Sequence, residues 1–298
     1  MFSRLLLPFV VLFFAVTSLA QGDLEWVRLS AGDGEIEVSG PPNGIVLHQE
    51  ETSRVAMDLP DAWFVISADR RTNAKLFINN IKSSKKDRVF VETRRIGDAL
   101  VKIQIRDWEK VYSVEVHIAG EDDAYQISAV AATKDNESLR RFLGSIRISG
   151  RVAFPDLLSA SRAAPGEVLP IEKLRISPMV LASLKKPDAS PSAAKFAKIE
   201  RLDEGFDMGY SRRLFVVQKP RANFTSEARS NGKQGTITAK VEFRSDGTIG
   251  AFTVDPTIDK GLAQNVAKAV SMIKFVPAEK DGAPVTVSKY VSYSFTIY

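Results

Sequence analysis

Few residues in this chain could do covalent or metal chemistry. It has no cysteine and two histidines, His48 and His117, in 298 residues. Neither histidine has a second ligand type at metal-binding spacing, and a single imidazole does not make a zinc site. His117 falls on the polar parity of an alternating segment and reads as a surface or hydrogen-bonded side chain. With no cysteine there is no thiolate nucleophile, no disulfide and no lipidated cysteine. No Gly-x-Ser-x-Gly elbow presents a serine. Glu121-Asp122-Asp123 groups carboxylates, but at a turn tip, away from the burial that tunes a general acid or base. Gly32-Asp33-Gly34 lacks the spacing of a phosphate-binding loop and the lysine that would follow it. The densest basic run, Lys82-Ser83-Ser84-Lys85-Lys86-Asp87-Arg88, has no interleaved aromatic on which a base could stack. These absences predict a protein that is not an enzyme, with no metal, no cofactor and no nucleic-acid partner.

Charge and hydropathy place the remaining functions. The net charge of +5 is uneven. Residues 21–150 hold 18 Lys and Arg against 21 Asp and Glu, a net of −3, while residues 151–298 hold 22 against 15, a net of +7. A basic C-terminal half favours contact with an acidic partner or an anionic surface. At the start, Arg4 precedes an apolar run from Leu5 to Val16, and Ser18-Leu19-Ala20 supplies the small residues that a signal peptidase reads. This predicts a leader over residues 1–20, cleaved after Ala20. The run is shorter than the ~20 apolar residues a spanning helix needs, and Pro8 interrupts it. An uncleaved anchor is the alternative. No other stretch predicts a membrane span in the mature chain.

The elements that could position a binding surface are clearest after Val217. From Gly235, Ile237, Ala239, Val241 and Phe243 alternate with Thr236, Thr238, Lys240 and Glu242, the period of a half-buried strand. Ser245-Asp246-Gly247 is a turn signal, and a second strand runs from Thr248 to Val254. After Asp255-Pro256 the period lengthens, with Ile258, Leu262, Val266, Val270 and Ile273 on one helical stripe and Asp259 as its N-cap. Lys274 to Ala278 is expected to close the helix. Asp281-Gly282 turns the chain into a last strand in which Val285, Val287, Val291, Tyr293, Phe295 and Ile297 alternate with mostly polar residues, Lys289 breaking the apolar face.

This β-β-α-β order resembles the C-terminal domain of TonB, a periplasmic protein that couples the inner membrane to outer-membrane receptors. The likeness rests on Lys219-Pro220, an aromatic at Phe224, Ala228, Gly235 followed by alternation, Asp246-Gly247, the helix, Phe275-Val276-Pro277-Ala278, Gly282 and the aromatic closing strand. The tyrosine-proline pair common in that family is Phe224-Thr225 here. The resemblance implies a module that binds an outer-membrane receptor peptide by adding a strand. It carries that role onto Gln218, Arg221, Asn223 and Phe224, with Val291 and Tyr293 on the closing strand Val287–Tyr298 as the edge; Phe224 and Tyr293 suit core packing equally well. It also implies a periplasmic location. The Ser-x-x-x-His feature with which TonB engages its motor is absent, since no histidine occurs in the first 47 residues, so a receptor-binding protein is expected rather than a full energy transducer.

Upstream, residues 24–149 are rich in strand signals. Trp26 opens the region, Ala62 to Ala68 reads as a buried strand, and Tyr112 to Ile118 and Tyr125 to Ala129 form a hairpin. Asn136 to Gly144 is a short helix, and Ile146 and Ile148 end the region. This order resembles the PsbP-like α/β sandwich, whose sheet is antiparallel. Residues 151–216 recur in proline among Ser, Ala and Lys and are expected to be an extended connector, with Pro178 to Leu184 as the one interruption, a helical turn or a segment docked on a domain. The expected architecture is therefore α+β in two domains: a sandwich over 21–150, a linker over 151–216 and a TonB-like domain over 217–298. The sandwich is the alternative seat of function, binding a small ligand or assisting assembly.

Overall fold

In a computed structural model the described residues are 25–69, 78–79, 81–84, 88–108, 110–119, 123–160, 164–200 and 209–297. The leader, Lys85 to Asp87 of the basic run, Glu121, Asp122 and Tyr298 lie outside them.

Alternation builds the first half as strands β1 (Val27–Ala31), β2 (Ile36–Gly40), β3 (Ile45–Gln49), β4 (Thr52–Asp58), β5 (Ala62–Asp69), β6 (Val89–Ile96), β7 (Ala99–Trp108), β8 (Val111–Ala119) and β9 (Ala124–Ala131). Helix α1 (Glu137–Ser145) and the short strands β10 (Arg147–Ile148), β11 (Arg151–Val152) and β12 (Val168–Pro170) follow. A seven-stranded antiparallel sheet has the order β3-β4-β5-β9-β8-β7-β6, and a five-stranded sheet the order β11-β10-β2-β1-β12. The expected hairpin is β8–β9, pairing Ile118 with Tyr125 and Val114 with Ala129.

Because successive strand residues face opposite ways, Met57, Phe64, Ile66, Val116 and Ile127 meet Leu139 and Phe142 of α1 in one core. Phe64 stacks on Phe142 with ring centroids 4.1 Å apart. Full burial of a side chain of this size contributes about 1.5–3 kcal/mol. Asn136 starts α1 by accepting the Leu139 N–H at 2.8 Å, the N-cap bond that satisfies an otherwise orphaned donor. At the other end Ser145 Oγ accepts the Ser39 N–H at 2.8 Å and fastens the helix to β2.

The second half contains β13 (Ala194–Phe196), β14 (Phe215–Gln218), β15 (Gly235–Phe243), β16 (Ile249–Val254), β17 (Lys274–Val276), β18 (Ala278–Lys280), β19 (Ala283–Val285) and β20 (Val287–Phe295). Its helices are α2 (Pro178–Leu184), α3 (Ser226–Ser230) and α4 (Lys260–Ser271). A four-stranded sheet runs β13-β16-β15-β20. Ile237, Ala239, Val241 and Phe243 face Leu262, Val266 and Val270 of α4, all buried. Asp259 caps α4 by accepting the Leu262 N–H at 2.8 Å. Between β15 and β16 Gly247 takes a φ of 83°, a region open to glycine at little cost.

Lys274 to Ala278 differs from its expected role as a helix end. Residues 274–276 are a strand, β17, antiparallel to β14. A period of two serves two faces at once: Phe275 enters the core under β15, and Val276 points toward the first half.

The stretch expected to be an extended connector is folded onto both halves. β12 pairs in parallel with β1, placing Arg28 opposite Val168, and β13 pairs in parallel with β16. Ile171 is fully buried in the first core, and Val180 of α2 is fully buried between the halves. Pro178 and Pro191 occupy first helical turns, where a missing N–H costs nothing. The proline recurrence that suggests an extended chain here starts short helices instead.

The halves meet in a small core of their own: Ile45, Leu47, Ala56 and Val65 on the outer face of the seven-stranded sheet against Val180, Phe215, Val217 and Val276. Beside it Asp58, 6% exposed, accepts from Arg213 twice, from the guanidinium at 3.0 Å and from the backbone N–H at 2.7 Å. Burial raises Asp58 above the usual carboxylate range even though Arg213 opposes the shift.

Candidate functional site

The site grows from β20. It pairs with β15 over its whole length, Gly235 opposite Phe295 through Phe243 opposite Val287, and has no strand on its other side among the described residues. The Ser292 carbonyl lies on that open side, because it accepts the Lys219 ammonium at 2.8 Å. In an antiparallel ladder inward and outward residues alternate, so Ser288 and Ser294 also turn their backbone groups outward. The strand's apolar face does the opposite work: Val287, Tyr293 and Phe295 are buried against α4 and its neighbours.

The residues assigned by resemblance stand differently in the structure. Phe224 is half-buried and meets Phe295 edge-to-face at 5.1 Å, with the Arg229 guanidinium 5.3 Å from its ring. Tyr293 is buried, and Lys219 Nζ sits 4.7 Å from its ring centroid. Among the described residues the Tyr293 hydroxyl has no hydrogen-bond partner, and burial raises its ionisation above that of an ordinary phenol. Val291 is half-buried opposite Ala239. Gln218 ends β14 exposed, and Arg221 is exposed beyond it. Asn223 is exposed, its carbonyl accepting from Asn265 Nδ2 at 2.8 Å. Phe224, Val291 and Tyr293 are thus built into the module, while Gln218, Arg221 and Asn223 present side chains to solvent. Lys219 is the functional candidate without an assigned role at the sequence level, although its pairing with Pro220 marks the segment. Burial of its ammonium lowers its ionisation range.

A second feature lies behind Lys219. A cavity of about 660 Å³ opens between the outer face of the seven-stranded sheet and β14, lined by Arg54, Ser67, His117, Gln126, Val217 and Lys219 among others. His117 is 5% exposed rather than a surface group, since Ile78 packs on this face with Leu100, Ala119 and Ala124. Its Nε2 lies 3.4 Å from Glu115 Oε2. Burial raises Glu115, but hydrogen bonds from His117 and Arg106 outweigh it and hold the carboxyl below its usual range. Among the described residues no group of His, Asp and Glu could hold a metal ion, and no helix is long and apolar enough to cross a membrane.

A small α+β module with an amphipathic helix on one sheet face and an uncovered terminal strand presents the backbone donors and acceptors that strand addition uses. Residues 220–297 match the family described as Gram-negative bacterial TonB protein C-terminal, and this part of the chain is a TonB C-terminal family domain. No curated protein matches the chain. A crystal structure of a protein from Bacteroides thetaiotaomicron VPI-5482 is similar at 9% identity with a TM-score of 0.26, covering 42% of this chain and 49% of that one. The chain therefore spans about half the length of that protein, and a likeness at this level carries no argument about fold or function.

Proposed function

We propose that the protein is exported to the periplasm, its leader removed after Ala20, and that it binds an extended peptide of an outer-membrane receptor along β20. The observation that carries this is the open side of β20 among the described residues, where the outward Ser292 carbonyl accepts from Lys219. The family of residues 220–297 supports the kind of partner. On this reading Gln218, Arg221 and Asn223 select among peptides, and Phe224, Val291 and Tyr293 hold the edge in shape. The module acts as the receptor-binding part of a protein whose first half is a sandwich of PsbP-like strand order.

The test is titration of the full chain with labelled peptides from outer-membrane receptors, each compared with a copy N-methylated at alternate residues. Strand addition predicts binding that the methylated copy loses; no binding by a folded chain, or equal binding of both, overturns it. Sequencing the mature N-terminus decides the leader: a chain that keeps Met1–Ala20 and fractionates with the inner membrane is an anchored transducer instead. A second reading, that the sandwich binds a small ligand, is favoured by the cavity against its outer face.

A further inference from the structure

The cavity behind Lys219 has an ordered distribution of charge. Along β4, Thr52 pairs with Asp69 and Arg54 with Ser67, and Ala56 with Val65 then continues into the apolar joint between the halves. The turn before β4 contributes Glu50 and Glu51 to the lining. Moving inward from the turn, the wall is first acidic, then cationic, then apolar. Asp69 is already engaged, whereas Glu50 and Glu51 stand exposed.

The cations are held away from these carboxylates. Among the described residues the Arg54 side chain makes no hydrogen bond or ion pair, and Lys219 reaches a carbonyl and a ring but no carboxylate. Burial alone lowers the ionisation of each, with no neighbouring charge contributing. A guanidinium stays charged under these conditions, so Arg54, whose side chain is exposed, presents the wall with a cation that has no ion-pair partner among the described residues. A bare anion would suit Arg54 and Lys219 but would also meet the acidic rim. A ligand carrying both charges meets neither conflict.

We propose that this cavity binds a short zwitterionic peptide, its terminal carboxylate on Arg54 and Lys219 and its terminal ammonium toward Glu50 and Glu51. Length follows from the strand. Glu50 and Glu51 lie three to four positions from Arg54, about 10–13 Å at roughly 3.3 Å per residue, which an extended peptide of about two to four residues spans and a single amino acid does not. The volume of about 660 Å³ lies within the range of small-ligand pockets. Ser67 and Gln126 offer hydrogen bonds to its backbone. This deepens the second reading above and does not depend on strand addition at β20, which uses internal backbone rather than chain ends.

The experiment is calorimetry and thermal shift on the full chain with tri-alanine, a free tripeptide library, N-acetylated and C-amidated copies of both, alanine and inorganic phosphate. Free tripeptides are expected to bind, with both capped forms and alanine at least tenfold weaker. Arg54→Gln should weaken binding at least tenfold while leaving the circular dichroism spectrum unchanged. Ser67→Phe, which fills the cavity, should abolish it. Capped and free peptides binding equally, or phosphate binding as well as tripeptide, overturns the zwitterion and leaves a ligand-binding sandwich. No binding by any probe overturns the site itself.

Discussion

The edges of the seven-stranded sheet and the edge at β20 are treated in opposite ways. On β3 the open side is covered by the chain: Ser177 donates its N–H to the Val46 carbonyl at 3.1 Å, and His48 Nε2 lies 2.7 Å from the Leu174 carbonyl. A carbonyl only accepts, so that nitrogen carries the proton, and Nδ1 accepts from Ser53 Oγ at 2.9 Å. On β6 the edge is blunted by charge, with Glu92, Arg94 and Arg95 within one strand. On β13 it is short, Ala194–Phe196. These are the ways in which proteins discourage unwanted strand pairing. β20 has none of them: it is nine residues long, has one charge at Lys289, and carries one lysine from elsewhere on its open side. A fold that covers, charges or shortens the edges at β3, β6 and β13 and leaves this one uncovered agrees with the strand addition proposed above.

The comparison can be broken most forcefully at the joint that holds the two halves together. Arg213→Ala leaves Asp58 buried with only a backbone donor, and should cost about 3 kcal/mol; urea unfolding of the full chain measures it. If the two halves then unfold in separate transitions, their coupling resides in this pair. Next is Ser292→Pro. The Ser292 N–H faces away from β15, so the ladder keeps its bonds while an added strand loses a donor and meets the ring. Peptide binding should weaken by about 2 kcal/mol, roughly thirtyfold, with the thermal midpoint nearly unchanged. A fall in stability with binding intact would remove β20 as the receiving edge.

Smaller effects concern the sheet face and the guarded edge. Glu115 is held below its unfolded value, so its stabilisation is full above the ordinary carboxylate range, about 4.3 for a free glutamate, and is lost as pH falls through its folded value. Asp58 has the opposite sign: its folded value is raised, so its contribution is full below the unfolded value and disappears as pH rises through the folded one. Glu115→Gln should lower stability by about 1–2 kcal/mol at neutral pH and flatten the acid limb of a urea-midpoint profile. The smallest effect is expected from replacing Glu92 and Arg95 with Thr, which leaves β6 folded but more prone to self-association in concentration-dependent light scattering.

The C-terminal module was legible because each mark has a local cause. Asp259 caps, Gly247 turns, and the period shifts from two to nearly four where strand gives way to helix. What escaped was decided at long range. Pro220 marks the segment of Lys219 but not what the lysine does; its partner, Ser292, lies 73 residues away. Lys274 to Ala278 follows a helix and was expected to end it, yet β14 draws it into a strand. Nothing local marks Arg54, because the cavity it lines needs residues 216–219 to close it. His117 falls on the polar parity, which a surface and a hydrogen-bonded side chain share, and the structure has the second, buried beside Glu115. The prolines of 151–216 suggested an extended spacer because composition does not reveal whether a proline begins a helix or prolongs a coil.

The parallel pairing of β12 with β1 bears on how the chain matures. Arg28 meets Val168 across 140 residues, so once β1 has left the ribosome it waits for nearly half the chain before that side is covered. Contacts of such separation close late and slowly. Until then β1 presents a bare flank, and the first core lacks Ile171. A fragment cut at residue 150 would keep that immature state permanently, whereas one extended past Leu174 would carry the strand that seals it.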